Sequence, residues 1–420
     1  MCDCGKIVSQ NSAHQATATA AKAKSSREVC GDFYVATVFT TVLESDTMIT
    51  TALRFLRYDK PKSLGALLGI IISVFLIGQQ TGIFLFLTGL MSALADNSTV
   101  GLWVVDKKVE DVNALGLIDA RLQREVESVP GVARAYPLVV SGATAKFENG
   151  KTSSVLLVGA QFPAFKGGVW NLAQGSPEDL LAEGAVTCDV FDKVSLGGAT
   201  YGTQFELSGK KARIAGLTKG ARGFGGLFMF TTVERARALG NVPANKVSAI
   251  LVDLEPGADT MLVRERINAT IVGVKAWTSK DLATSTKVKI LGESGIAAST
   301  GTLVVFAVIS GFVIIGLTLY SAAIDRIRDY ATLKAIGSTN GFVAKLILTQ
   351  AFLLAVVGYI ISTGLLEGFR QGVANAGLSF TLSPILRGGF LLITLLISTT
   401  GAIFAIRKIT KVEPATVFRG

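Results

Sequence analysis

Histidine occurs once in 420 residues, at His14, and cysteine four times. Cys2, Cys4 and Cys30 lie near the start, so Cys188 is alone in the long middle segment and no disulfide can close within it. Cys2 and Cys4 with His14 make three possible metal ligands, but a low-complexity tail is a weak place for a site, and no metal or other cofactor is expected. No acid–base pair, nucleophile set or metal cluster stands out elsewhere, which leaves hydrolytic chemistry little to work with.

Charge is missing in a more telling way. Leu64–Ala95, Ser294–Ile324, Leu346–Leu366 and Gly388–Ile406 hold no Asp, Glu, Lys, Arg or His. Each is long enough to cross a hydrocarbon core of about 30 Å at about 1.5 Å per residue. Half of the chain is hydrophobic and the mean hydropathy is +0.50. Four such windows argue against buried helices of a soluble protein. Carriers driven by protons or ions need a group that binds and releases charge at depth. These spans have none, so energy for any uphill work must arrive from outside the membrane. Gln79 and Gln80 are the most polar members of the first span and suit a hydrogen bond across a helix interface.

The net charge of +10 could suggest nucleic acid, but its placement points to a lipid bilayer. Arg54, Arg57, Lys60 and Lys62 precede the first window. Arg326, Arg328, Lys334 and Lys345 separate the second and third, and Arg407, Lys408, Lys411 and Arg419 follow the fourth. The loop between the third and fourth windows has only Arg370 and Arg387. This positive-inside bias places both termini and the 324–345 loop in the cytoplasm, and the segment of about 200 residues between the first two windows outside.

The expected fold is an α-helical membrane domain of four transmembrane helices, with a mixed α/β extracytoplasmic domain between helices 1 and 2. Residues 1–47 lack an apolar face and are expected to be disordered or a misassigned extension, Met48 being a natural start. Residues 48–63 suit a cytoplasmic helix in the headgroup layer. The spans are then 64–95, 297–323, 346–366 and 388–406, with an outer loop at 367–387 and a cytoplasmic C-terminus at 407–420. The first two windows would be about 46–48 Å long as helices. Some excess can be absorbed by tilt, but both flank the outer segment, so they are expected to continue as stalks. The third and fourth should cross and no more.

Within 96–296, "LWVVD", a helical run at Leu117–Val129 and "GVARAYPLVV" read strand–helix–strand. "AILVDLEPG", Thr260–Ala269 and "GVKAWT" repeat the pattern, with Gly131 and Gly273 at the turns. Two such units, about 102–140 and 249–277, commonly pair as a split βαβ sandwich, and 141–248 reads as a β-rich insertion. "AKFENGKT" loosely resembles a phosphate loop, but its flanks read as strands and Asn149-Gly150 is a two-residue hairpin signal. "GARGFGGLF", Gly220–Phe228, has the wrong glycine spacing for a dinucleotide site. It is expected to be a flexible outer loop with Phe224 at its apex, placed to meet a partner or substrate.

The segment "IDRIRDYATLKAIGSTNGFVAK", Ile324–Lys345, is dense with charge between two apolar runs. Good helix formers fill it, with Asp325 and Arg328 three apart on one side. Gly337 is placed to end the helix in the left-handed conformation, and Ser338, Thr339 or Asn340 can cap the next. The expected result is a rigid hairpin with Leu333, Ala335 and Ile336 near its tip, suited to docking in a groove of another protein.

The stretch "RIRDYATLKAIGS" resembles the signature of permeases in the MacB/FtsX-like superfamily of ABC transporters, including lipoprotein-releasing and DevC-type members. Arg328, Leu333, Lys334, Ala335, Ile336 and Gly337 fall on the pattern. "LRFLRYDKPKSLGALLGIIISV" and "LSGKKARIAGL" are similar too, as is "RKITKVEPATVFRG" with Pro414-Ala415 and Arg419. The resemblance covers roughly Met48–Gly420. It implies a non-catalytic permease subunit of the bacterial cytoplasmic (inner) membrane, working as a homodimer or heterodimer with a second permease copy. A separate ABC ATPase subunit drives it, since this chain has no ATPase signature loop. Arg326, Arg328, Asp329, Leu333, Lys334, Ala335 and Gly337 would take force from that ATPase. The outer domain would engage substrate, or a periplasmic adaptor with an outer-membrane duct. The alternative is an FtsX-like signalling scaffold that regulates an extracytoplasmic hydrolase and transports nothing.

Overall fold

The computed structural model describes residues 49–54, 56–58, 60–325 and 327–410. The expectations for the 1–47 tail with Cys2, Cys4 and His14, for Met48, for Arg326 and for the end of the chain at 411–420 lie outside the described residues. Among the described residues, four helices are long and apolar enough to span a membrane: Lys60–Met91, Ile296–Asp325, Asn340–Ala374 and Pro384–Thr410. The chain forms two compact units. One gathers the described residues up to Val74, Ile309–Ser362 and those from Gly389 onward. The other gathers Phe75–Val308 and Thr363–Gly388.

The first unit is helical and packs through small residues. A Cβ on Gly69 would lie 2.5 Å from Ile314, and one on Gly358 would lie 2.5 Å from Ile70. Gly311 and Ser73 face each other just as closely, a Cβ at 311 falling 2.6 Å from Ser73 Oγ. Lipid tails are as apolar as leucine, so such helices associate by close approach and hydrogen bonding rather than by burying oil from water. Two hydroxyls cross between helices: Ser362 donates to Ile71 O at 3.1 Å and Ser398 to Ala351 O at 2.9 Å. Leu68, Ile72, Ile360, Ile361, Leu396 and Phe404 are exposed, large apolar side chains of the kind that lipid accommodates.

Helix lengths correct one expectation. The third and fourth spans, expected to be 346–366 and 388–406, belong to helices of 35 and 27 residues. The expected outer loop 367–387 is therefore helical up to Ala374 and again from Pro384. A charge-free window measures what lipid tolerates, whereas a helix ends where its backbone is capped. Glu367 pairs with Arg370 one turn on, which supports helix beyond the apolar window. Gly377 then ends it at φ +86°, with Leu378 N donating to Val373 O and Gly377 N to Ala374 O, the paired closure of a Schellman motif. The second rod is also segmented. A separate helix, Ser279–Glu293, precedes Gly295 at φ +66°, and the long helix starts at Ile296. Gln79 and Gln80 make no side-chain hydrogen bond among the described residues.

The second unit is mixed α/β. Its ten-stranded sheet contains β1 (Leu102–Asp106), β3 (Val132–Lys146), β4 (Thr152–Ala160), β5 (Leu172–Gln174), β6 (Ala185–Asp189), β7 (Gln204–Leu207), β8 (Lys210–Thr218), β9 (Leu227–Thr232), β11 (Ala249–Leu254) and β12 (Val274–Thr278). The short β2 (Ile118–Asp119) pairs with β10 (Lys246–Val247). The strands β12-β1-β11-β3 stand side by side, every neighbour antiparallel. The two strand–helix–strand stretches thus interleave, each lending a strand to the interior of the other, as in a split βαβ arrangement. Gly131 and Gly273 take positive φ at the equivalent turns.

Alternation explains why β1 is apolar from Leu102 to Val105. Leu102 and Val104 enter one core with Val126, Val263 and Ile267 from two helices. Trp103 and Val105 enter the other with Leu282 and Ala283 from the Ser279–Glu293 helix. Successive residues of a strand point to opposite faces, so a strand covered on both needs no polar position.

The expected helix at 117–129 shrinks to Leu122–Glu127. Ile118 is taken into the bridge with Val247, Asp119 accepts from Arg121 N at 2.9 Å, and Pro130 disfavours helix at the residue before it. "AKFENGKT" closes the β3–β4 hairpin. It does so with a three-residue loop rather than two: Phe147 N donates to Lys151 O and Gly150 N to Phe147 O, both at 2.9 Å.

Cys188 on β6 is buried. Burial, with the nearby charges of Asp189 and Asp192, pushes its thiol up to about 12. In the folded chain it should stay unlabelled by iodoacetamide at pH 8 and react only after denaturation, as read by peptide mass spectrometry. Modification of native protein at Cys188 would contradict the described burial.

Candidate coupling site

The hairpin is built by caps at both ends of one turn, the first from the backbone and the second from a side chain. A helix runs over Ile327–Ala335. Ser338 N donates to Leu333 O and Gly337 N to Lys334 O, both at 3.0 Å, with Gly337 at φ +107°. This is the same Schellman closure that Gly377 makes. Of the three expected caps, Thr339 is the one used: Phe342 N donates to its Oγ1 at 3.2 Å, and the Asn340–Ala374 helix follows at once. Four residues thus join the two helices, with a Schellman closure on one side and a threonine cap on the other.

Burial sorts the helix by face. Tyr330 and Ala331 are buried, while Arg328, Asp329, Thr332 and Ala335 are exposed. Among the expected coupling residues, Arg328, Asp329, Ala335 and Gly337 are therefore open to a partner, and Leu333 and Lys334 are half-buried. Arg326 lies outside the described residues. Ile336, which sequence reasoning placed near the tip but left out of the contact set, is 81% exposed. Its signal was its place directly before the capping glycine, where a large aliphatic side chain has no helix of its own left to pack on.

A second constellation gathers the chain leaving the first long helix and the chain approaching the second. Asn113 Nδ2 donates to Met91 O at 2.7 Å, and Lys287 lies 3.5 Å from Asp96. Val112 N donates to Thr286 Oγ1 at 2.9 Å, and Ser285 Oγ to Glu110 O at 2.9 Å. Ser279 Oγ donates to Val100 O, and Trp103 Nε1 to Ser98 Oγ. The 107–115 loop therefore clasps both strands of the connection. Sequence reasoning missed this clasp, because small polar residues about 170–190 positions apart carry no local signal.

The expected flexible loop at Gly220–Phe228 is pinned at its base. Ala221 is buried and its N donates to Asp189 Oδ2 at 2.8 Å, and Phe224 is half-buried rather than presented at an apex.

With this geometry in hand, two sequence profiles fit the chain. The MacB-like periplasmic core domain matches residues 63–270, and the FtsX-like permease C-terminal domain matches residues 301–414, a range that contains the hairpin. The chain belongs to the MacB/FtsX-like ABC transporter permease family. The permease is 25% identical over 399 residues to the uncharacterized ABC transporter permease Rv0072 of Mycobacterium tuberculosis, covering 89% of this chain and 100% of the relative. It is 25% identical over 389 residues to the permease Mb2592 of Mycobacterium bovis, with the same coverage. The periplasmic region of MacB from Actinobacillus actinomycetemcomitans superposes with a TM-score of 0.35 at 11% identity, over 45% of this chain and 92% of that one. The permease is thus a multi-pass membrane protein with four candidate spans, of a family whose ATPase activity lies in a partner subunit.

A side chain at position 337 would meet no atom within 4 Å, so its cost is purely conformational. Gly337→Ala should destabilise the turn by about 1–2 kcal/mol. Exchange of the Ser338 amide, measured on the full chain in lipid nanodiscs, should speed up roughly 5–30-fold.

Proposed function

We propose that this permease relays ATP-driven motion from a separate nucleotide-binding subunit to its extracytoplasmic α/β unit, as the membrane subunit of an ABC-type exporter or extruder. Arg326, Arg328, Asp329, Leu333, Lys334, Ala335 and Gly337 form the contact that takes the force, and Ile336 joins them. The carrying observation is the doubly capped hairpin that presents Ile336 and a charged face to solvent between two long apolar helices. A free linker has no reason to stiffen its turn or to expose a large aliphatic side chain at its tip; a docking knob needs both. Basic residues on the hairpin and beside the first and fourth spans support a cytoplasmic position for the hairpin and for both termini. A second permease copy, identical or not, completes the assembly. The clasp around the 107–115 loop supports joint movement of the two connections into the α/β unit.

Replacing Leu333 and Lys334 together by alanine should weaken capture of the ATPase subunit by roughly tenfold or more, as loss of a central contact does. It should also uncouple ATP hydrolysis from transport while membrane insertion stays intact. Ile336→Ser should act in the same direction, since an exposed side chain contributes little to the fold. Unaltered co-purification of the ATPase with both variants, together with full transport, would reject the assignment.

A further inference from the structure

The β-rich insertion is continuous in sequence with neither of the first two long helices, yet one end of the third helix reaches it within the α/β unit. The contact begins at β6. Asp189 at the end of β6 accepts from Phe191 N at 3.1 Å, from Thr218 Oγ1 at 3.0 Å and from Ala221 N at 2.8 Å. This one carboxylate fixes both the Val190–Asp192 turn and the base of the 220–226 loop. Asp192 is 1% exposed. Arg222 Nε stands 2.9 Å from its Oδ1 as an ion pair. Burial pushes the Asp192 carboxyl up, and the Arg222 charge pulls it back. A buried carboxylate is costly without its counter-charge, so Arg222 is held where it is.

From that position Arg222 Nη1 reaches the carbonyl of Gly377 at 3.4 Å. Gly377 is the residue that closes the Asn340–Ala374 helix, and its Cα packs on Phe191: an added Cβ would lie 2.7 Å from Phe191 Cβ and 3.1 Å from Arg222 Nη1. The carbonyl end of a helix carries partial negative charge, which a guanidinium complements. Phe380, just beyond Gly377, lies 2.5 Å from where a Cβ on Gly82 would be, and Phe369 in the last turns of the helix packs edge-on against Phe75.

We propose that Arg222 is a latch that ties the end of the third long helix to the β-rich insertion, so that residues 375–380, the 190–192 turn and the 220–226 loop move as one body. The proposal rests on the force-relay reading for its consequence: the insertion receives motion from the helix that starts at the hairpin, besides the clasp at the first and second helices. The latch itself is tested without ATP or a partner, so its failure leaves the hairpin variants to judge the relay.

Hydrogen exchange followed by mass spectrometry on the full chain in lipid nanodiscs reads it directly. Asp192→Asn with Arg222→Met removes both charges together and leaves no buried ion alone. Exchange at 375–380, where nothing was changed, should rise on the order of tenfold, as loss of a charge-assisted contact implies. Gly377→Ala should do the same at 190–192 and 220–226. Exchange in β1 and β11 should stay as in the wild type. If the double variant does not fold, Arg222→Lys keeps a positive charge beside Asp192 but lacks the fork that reaches two acceptors at once, and 375–380 should again loosen. Variants that each loosen only their own segment would overturn the latch.

Discussion

Hydrocarbon does not solvate an ion, and the rest of this permease follows from that constraint. Its four apolar windows carry no Asp, Glu, Lys, Arg or His, the side chains with which ion-driven carriers bind and release charge at depth. Under the relay proposed above, the helices need only be stiff and well packed. Their contacts fit that role: glycine and serine at the close approaches, hydroxyls donated across to backbone carbonyls, and leucine, isoleucine and phenylalanine turned outward.

Stiffness depends on how helices end. The third helix is bounded by Thr339 at one end and Gly377 at the other, and the glycine before it, Gly337, closes the preceding helix by the same pair of hydrogen bonds that Gly377 makes. A Schellman closure satisfies carbonyls that would otherwise fray into water. The outcome is a single rod of 35 residues with a defined turn at each end. One of those turns is the candidate coupling hairpin, and the other is the segment held by Arg222.

The α/β unit is tied together across its centre. Its central strands are interleaved, β1 lying between β11 and β12, and β11 between β1 and β3. Neither strand–helix–strand stretch can therefore shift without breaking main-chain hydrogen bonds to the other. With side chains packed into cores on both faces of β1, the sheet has little freedom to deform internally.

Much of this was legible in the sequence, because the signals are local. Charge-free windows set the number of spans, basic flanks suggested their orientation, period and turn glycines marked the two strand–helix–strand stretches, and Gly337 with its capping neighbours marked the hairpin. Helix ends were less legible where an apolar window and a backbone cap disagree, as at Ala374. The clasp at Asn113, Ser285 and Thr286 and the Asp192–Arg222–Gly377 contact left no trace at all. The sequence by itself determined which segments lipid accepts and where the backbone turns, because solvation and capping act over one to a few tens of residues. Only the tertiary structure decided which distant polar groups meet, because a hydrogen bond or ion pair between residues 22 to 191 positions apart depends on how the sheet and helices fold between them.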